Sequence, residues 1–202
     1  MALINPGFQG KPHSGKRLPP GQSEVNYWPV LTYGATPHVT TNEWSLTIDG
    51  EVNKPITLDW AAFNKLPKTT KLTDIHCVTR WSRLGMPWEG VAVDELIALA
   101  GGLTDKAHYV IASSYGGYTT NLPITDVTNA QALVATKAHD EPLTDEHGGP
   151  ARLFVPHLYF WKSAKWIQKL TFTPVDHPGL WEVSGYHNYG DPWREQRYDT
   201  DA

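Results

Sequence analysis

A single cysteine, Cys77, stands in the run Asp74-Ile75-His76-Cys77-Val78-Thr79-Arg80-Trp81-Ser82. With no second cysteine in the chain it forms no internal disulfide. Three chemistries remain: a small buried hydrophobe, a nucleophile, or one thiolate ligand to a metal. Isolated cysteines are most often core residues, but the flanking residues argue against that default. Arg80 would lower the thiol's pKa or hold an anion, and a thiolate is a soft donor suited to a soft or highly charged metal centre.

Further polar clusters could act with it. In Ser114-Tyr115-Gly116-Gly117-Tyr118-Thr119 the paired glycines let the backbone approach a ligand closely. Tyr118 there offers a phenol as hydrogen-bond donor or acid. His147-Gly148-Gly149-Pro150-Ala151-Arg152 brings an imidazole and a guanidinium across a tight loop, and Arg152 suits bidentate recognition of phosphate or carboxylate. In Lys162-Ser163-Ala164-Lys165 two lysines flank small residues with free backbone N–H groups, a plausible phosphate cradle. Taken singly, each also reads as a turn, a surface ion pair or ordinary exposed lysines. The usual nucleotide, zinc-protease, paired-cysteine and serine-hydrolase signatures do not occur.

These groups need elements to hold them. Trp44, Leu46 and Ile48 alternate with polar residues and predict a half-buried strand, followed by a hairpin signal at Asp49-Gly50 leading into Glu51-Val52. Asp59 is placed to cap a short helix carrying Trp60, Phe63 and Leu66, stopped by Pro67. Residues 72–78 read as extended, which sets Cys77 near a strand end, where scaffolds present reactive groups. Asp94 is expected to cap a helix over 95–100, closed by Gly101-Gly102. Strands are expected over 109–113, 152–155 and 166–172, and a helix from Thr125 or Asp126 running into Leu133-Val134-Ala135. Short helices alternate irregularly with strands and no glycine-rich βα fingerprint occurs, so the predicted class is α+β with a mixed β-sheet. Residues 1–25 read as an extended arm ending at Pro19-Pro20-Gly21, and 26–202 as one domain.

Composition narrows the partners. The formal net charge is −4 and no long basic run occurs, which argues against nucleic acid or an anionic membrane surface. No apolar stretch is long enough to cross a membrane. The polar N-terminus has neither an apolar signal core nor a twin arginine, so the expected location is the cytoplasm. Nine tryptophans and nine tyrosines suit loops pinned by aromatic contacts, or a flat aromatic ligand.

Taken in order, residues 76–82, 118–123, 148–156 and 162–166 resemble the molybdopterin-binding domain of the sulfite oxidase family, closest to its small, single-domain bacterial members. The resemblance implies that fold and a molybdopterin cofactor with one molybdenum per chain. It implies Cys77 as the metal's thiolate ligand and Tyr118 beside its oxo groups. Ser114 falls where a hydroxyl meets the pterin. His147 and Arg152 match residues holding the pterin and its phosphate, and Ser163, Ala164 and Lys165 match the phosphate-end loop. Residues 28–34 occupy the place of an N-terminal pterin-contacting loop, with Leu31 and Thr32 as its contacts, although the family's usual asparagine is missing there. The implied activity is oxygen-atom transfer on sulfite or a related oxyanion or sulfoxide, with a separate electron-transfer partner because no haem domain is present. The dimerisation domain that supplies a substrate-pocket arginine in larger members is also missing. Arg80, Arg194 and Arg197 are the candidates to replace it, Arg80 also as a catalytic residue. Competing readings are a pterin-binding module without catalysis, a cysteine hydrolase using Cys77 with His76, His147 or His157, and a zinc site on Cys77 and scattered histidines.

Overall fold

The computed structural model describes residues 17–202. Most of the expected arm, residues 1–16, lies outside the described residues. Ahead of the main body, β1 (Ser23–Glu24) runs parallel to the start of a later strand, at Trp81 and Ser82. Next come β2 (Ser45–Gly50), β3 (Ile56–Asp59), helix α1 (Trp60–Asn64), β4 (Thr69–His76), β5 (Trp81–Ala92) and helix α2 (Val93–Leu99). The remaining strands are β6 (Tyr109–Ser114), β7 (Thr119–Pro123), β8 (Leu133–Ala138), β9 (Glu141–Pro142), β10 (Arg152–Phe154) and β11 (Ile167–Thr173).

They form two mixed sheets with only short helices. One has the order β3-β2-β11-β6-β7, with β2 and β11 parallel and the other pairs antiparallel. The other runs β1-β5-β8-β10, with β4 added to β5 and β9 to β8. The predicted mixed sheet is thus present twice.

Local chemistry explains most elements. Leu46 and Ile48 on β2 are fully buried, as alternation requires. The chain does turn back after Asp49-Gly50, but its pairing partner is β3, matched Ser45 to Asp59 and Ile48 to Ile56, rather than Glu51-Val52. Gly50 has φ +79, and a Cβ there would stand 2.0 Å from the Phe172 carbonyl oxygen. Only glycine lets β2 end against β11 in this way. Asp59 caps α1, its carboxylate accepting the Ala62 N–H at 2.7 Å.

Other expectations need correction. Helix α2 begins behind Ala92 without a side-chain cap. Asp94 instead accepts the backbone N–H groups of Asn129 at 2.9 Å and Ala130 at 2.8 Å, amides of a turn in left-handed conformation. The helix expected from Thr125 shrinks to a single 3-10 turn, Ile124–Asp126, and Leu133 starts β8. Strand β5 had no counterpart in the sequence reading, because Gly85, Pro87 and Gly90 interrupt its pattern. It is nonetheless central, pairing with β1, β4 and β8.

The core falls into two clusters. The larger joins Trp44, Leu46, Ile48, Phe63, Leu170 and Phe172. The smaller gathers Ile75, Cys77, Trp81, Met86, Trp88 and Phe154. Within it Trp88 stacks on Phe154 with ring centroids 4.0 Å apart. Burying each such side chain contributes roughly 1.5–3 kcal/mol. This second cluster makes the floor on which Cys77 rests. No helix among the described residues is long and apolar enough to cross a membrane.

Candidate active site

Cys77 follows β4 directly and opens a tight turn into β5. Its N–H donates to Trp81 O at 2.9 Å, and Arg80 N–H donates back to Cys77 O at 3.0 Å. The sulfur accepts the Thr79 hydroxyl at 3.1 Å. Only 7% of the residue is exposed, and burial pushes its thiol pKa up, with Thr79 and Arg197 acting in the other direction. That is the profile of a sheltered sulfur rather than of a free, activated nucleophile.

Cys77 lines a cleft of about 320 Å³. Tyr118 and Thr79 share its lining with a broad aromatic surface that includes Trp161, Trp181 and Tyr186. Tyr118 sits just ahead of β7 and donates its hydroxyl to Trp161 O at 2.6 Å. Burial, then the nearby Glu182 carboxylate, raise the phenol's pKa well above its ordinary value, so it stays protonated. A phenol oxygen can also accept a hydrogen bond, from a protein group or a ligand.

Both cations in the lining, Arg152 and Lys165, lack a carboxylate partner among the described residues. Arg152, on β10, is 1% exposed. It donates to His147 O at 2.9 Å and Ser163 O at 2.6 Å, and its guanidinium lies 4.2 Å over the Phe160 ring. Its buried Nε has no partner. Desolvation pulls its pKa down to about 9, still above neutrality, so the charge persists. Lys165 donates to Leu31 O at 2.7 Å, Thr32 Oγ1 at 3.0 Å and Glu146 O at 2.6 Å. Burial, and next the Arg152 charge, lower its pKa to about 7. Two sheltered positive charges facing one cleft without a counter-ion are the donor set for an anion.

The sequence-predicted residues fall as follows. Leu31, Thr32, Ser163 and Ala164 line the cleft with Arg152 and Lys165. Ser163 Oγ accepts Val155 N–H at 2.9 Å, which fixes the loop rather than freeing the hydroxyl. His147 stands behind this lining. Its Nε2 meets Trp28 O at 3.3 Å, and its ring packs 3.8 Å from the Trp28 ring. Burial lowers its pKa. Ser114 is buried with a partnerless Oγ but is not part of the lining.

Arg80 departs most from expectation. Its φ of +72 at the turn directs the side chain outward, where Nη1 stands 3.1 Å from the place a Gly21 Cβ would take. Neither it nor the exposed Arg194 lines the cleft, and Arg197 is buried with Nη1 donating to Val78 O at 2.7 Å. Lys162 also turns away, forming a buried ion pair with Glu182 at 2.7 Å. Sequence reasoning missed Gln22, whose amide donates to Cys77 O at 3.0 Å. A lone glutamine in a proline-rich segment carries no signal of such a role.

Residues 33–181 match the oxidoreductase molybdopterin binding domain family. The chain belongs to that family. It is 44% identical over 186 residues to the uncharacterized oxidoreductase YuiH of Bacillus subtilis (strain 168), covering 92% of this chain and 93% of that protein. It is 28% identical over 166 residues to MsrP of Campylobacter jejuni, the catalytic subunit of a protein-methionine-sulfoxide reductase. That match covers 74% of this chain and 56% of the relative, so the chain spans little more than half of it. The fold resembles the sulfane dehydrogenase SoxCD from Paracoccus pantotrophus, with a TM-score of 0.65 and 21% identity over 74% of this chain and 42% of that one.

The chain is therefore a molybdopterin-binding oxidoreductase domain of the sulfite oxidase-like molybdenum family. Its residues fit the cofactor that membership implies. The partnerless Nε of Arg152 and the Lys165 ammonium, which has no counter-ion among the described residues, suit a phosphate, the aromatic lining suits a flat pterin, and Cys77 brings a sulfur to the same space. Among the described residues neither hydrolase nor zinc chemistry finds its parts. The three candidate histidines there face other groups than the Cys77 sulfur: His76 faces Ser82 at 2.8 Å, His147 faces Thr144 and Trp28, and His157 faces Asp126 at 2.8 Å. Burial also pulls the His76 pKa down to about 4. Among the described residues no group of histidine, cysteine and carboxylates gathers around a metal-sized space.

Proposed function

We propose that the protein is an oxygen-atom transfer enzyme that uses one molybdenum per chain, with Cys77 as the protein's ligand to the metal. The observation that carries this reading is the meeting of the Cys77 sulfur and the unpaired charges of Arg152 and Lys165 in one aromatic cleft. When bound, the cofactor supplies a metal that gains and loses an oxygen atom in two-electron steps. The chain's own residues do the rest. Arg152 and Lys165 hold the phosphate, helped by the backbone of Ser163 and Ala164, while His147 braces Trp28 on the pterin side. Leu31 and Thr32 close the cleft over it. Tyr118 orients the substrate by accepting a hydrogen bond or by turning its own proton from Trp161 O toward the reacting oxygen. The aromatic walls exclude water.

With both lining cations committed to the cofactor, the remaining surface is aromatic and hydroxylic. That suits a sulfoxide better than a doubly charged oxyanion such as sulfite, and the MsrP relative is named for a sulfoxide substrate. Electrons are exchanged with a separate protein, consistent with that relative being a catalytic subunit.

The test is metal analysis and pterin fluorescence on wild-type and Cys77→Ala protein from a molybdenum-replete host. Wild type is expected to hold near-stoichiometric molybdenum and pterin. Cys77→Ala should keep pterin, because the anion-binding residues are intact, while turnover of an aryl or alkyl sulfoxide falls by at least ~1000-fold, about 4 kcal/mol. Full turnover by the variant would overturn the reading, as would wild-type protein with neither metal nor pterin.

A further inference from the structure

The turn that carries Cys77 is held from both ends of the chain. From the N-terminal side, Gln22 Nε2 donates to Cys77 O at 3.0 Å. The Gln22 side-chain Oε1 accepts the Ser82 hydroxyl at 3.2 Å, and Ser23 N–H donates to Arg80 O at 2.9 Å. From the C-terminal side, Arg197 Nη1 donates to Val78 O at 2.7 Å and Nη2 to Pro20 O at 3.4 Å. Arg197 thus ties the turn and the N-terminal segment together. It is 3% exposed, and its guanidinium lies 4.9 Å over the Tyr159 ring. The nearest carboxylate, on Glu195, is 3.8 Å away and half exposed. Between them these bonds take up the carbonyls of Cys77, Val78 and Arg80, so the turn has little freedom to rotate.

We propose that Gln22 and Arg197 are positioning residues that clamp the Cys77 turn and set the direction in which its sulfur enters the cleft. The proposal rests on Cys77 being the metal's ligand. Arg197 also places its charge beside the turn, where its only ion-pair partner among the described residues is the half-exposed Glu195 at 3.8 Å. This assigns Arg197 a place in the site other than the substrate pocket.

The experiment uses Gln22→Leu, Arg197→Met, the double variant, and the conservative Gln22→Glu and Arg197→Lys. Amide hydrogen exchange over 77–82 on cofactor-free protein reads the clamp directly. The electron paramagnetic resonance signal of the half-reduced molybdenum centre in the holoenzyme reads sulfur orientation. Expected is an exchange rate at least ~10-fold faster in Gln22→Leu and Arg197→Met, on the loss of one charge-assisted or neutral hydrogen bond. The g-values are expected to shift in both variants and to return toward wild type in Arg197→Lys. The double variant should change less than the sum of the singles, since both act on one turn. Faster exchange with wild-type g-values would make the contacts merely structural and sink the proposal, as would unchanged exchange. If Arg197→Met does not fold, Gln22→Leu and Arg197→Lys still decide it. Wild-type protein lacking molybdenum would refute the functional reading instead, and the exchange data would still accept or reject the clamp.

Discussion

Arg152 and Lys162 are both about 1% exposed, yet the chain treats their charges in opposite ways. Lys162 sits in a full set of acceptors: Glu182 at 2.7 Å, Asn121 O at 2.9 Å, Asn121 Oδ1 at 3.0 Å and Asn188 O at 2.7 Å. Glu182 also accepts the Thr120 hydroxyl and Trp161 Nε1, so the pair pins the cleft wall to β7. Arg152 is hydrogen-bonded only to neutral carbonyls and packed on aromatic faces, with no carboxylate partner among the described residues. A buried charge without a counter-ion is costly. A protein keeps such a cation where an anion completes it. The difference separates a cation that holds the fold from one that holds a ligand.

The largest effect that tests this contrast belongs to Lys162. Lys162→Met should destabilise the fold by about 3–5 kcal/mol in urea unfolding, because it strands the Glu182 carboxylate in the interior. Adding Glu182→Gln, which still accepts from Thr120 and Trp161, should recover most of that loss. If the double variant is no more stable than the single one, the charge pairing is not what Lys162 contributes. Arg152→Met should behave differently. It removes an uncompensated charge, so the unfolding midpoint moves little, while the affinity of cofactor-free protein for inorganic phosphate drops about 10–100-fold by calorimetry. A large stability loss with unchanged phosphate binding would reverse the two roles.

The sequence shows the chemistry of this pair but not their division of labour. Lys162 and Lys165 look alike in the run Lys162-Ser163-Ala164-Lys165. What parts them is a 3-10 turn at Phe160–Lys162 and the positive φ of Trp166, which send one lysine into the core and the other to the cleft. Local signals did reveal the strand at β2, the cap at Asp59 and the strand-end place of Cys77, since each depends on a few adjacent residues. Strand β5 was hidden because its partners β4 and β8, not its own pattern, make it a strand. The places of Arg80 and Gln22 were hidden for a related reason. Arg80 stands in a conspicuous motif but its backbone turns it away, whereas Gln22 acts through its distance to Cys77 in space, which no linear pattern encodes.

Lys165 offers the smallest and most discriminating effect, because folding and ligand binding respond to its proton with opposite signs. Its pKa in the folded chain is about 7, against a reference of 10.5. Between those values the unfolded chain holds a proton that the folded chain has released, so its contribution to stability rises with pH across that window. Anion binding needs the proton. Sulfate, a phosphate-like anion that keeps one charge state over this range, should therefore bind the cofactor-free protein with an affinity that is level below about pH 7 and falls above it, by at most ~10-fold per pH unit. Bound sulfate raises the lysine's pKa, so the fall ends where the complex itself titrates. Lys165→Met should flatten both profiles, while Lys165→Arg should keep the affinity and lose only its pH dependence. A wild-type sulfate affinity that stays level from pH 6 to 9 would show that Arg152 alone carries the anion, and that Lys165 serves to tie the loop of Leu31 and Thr32 to the cleft.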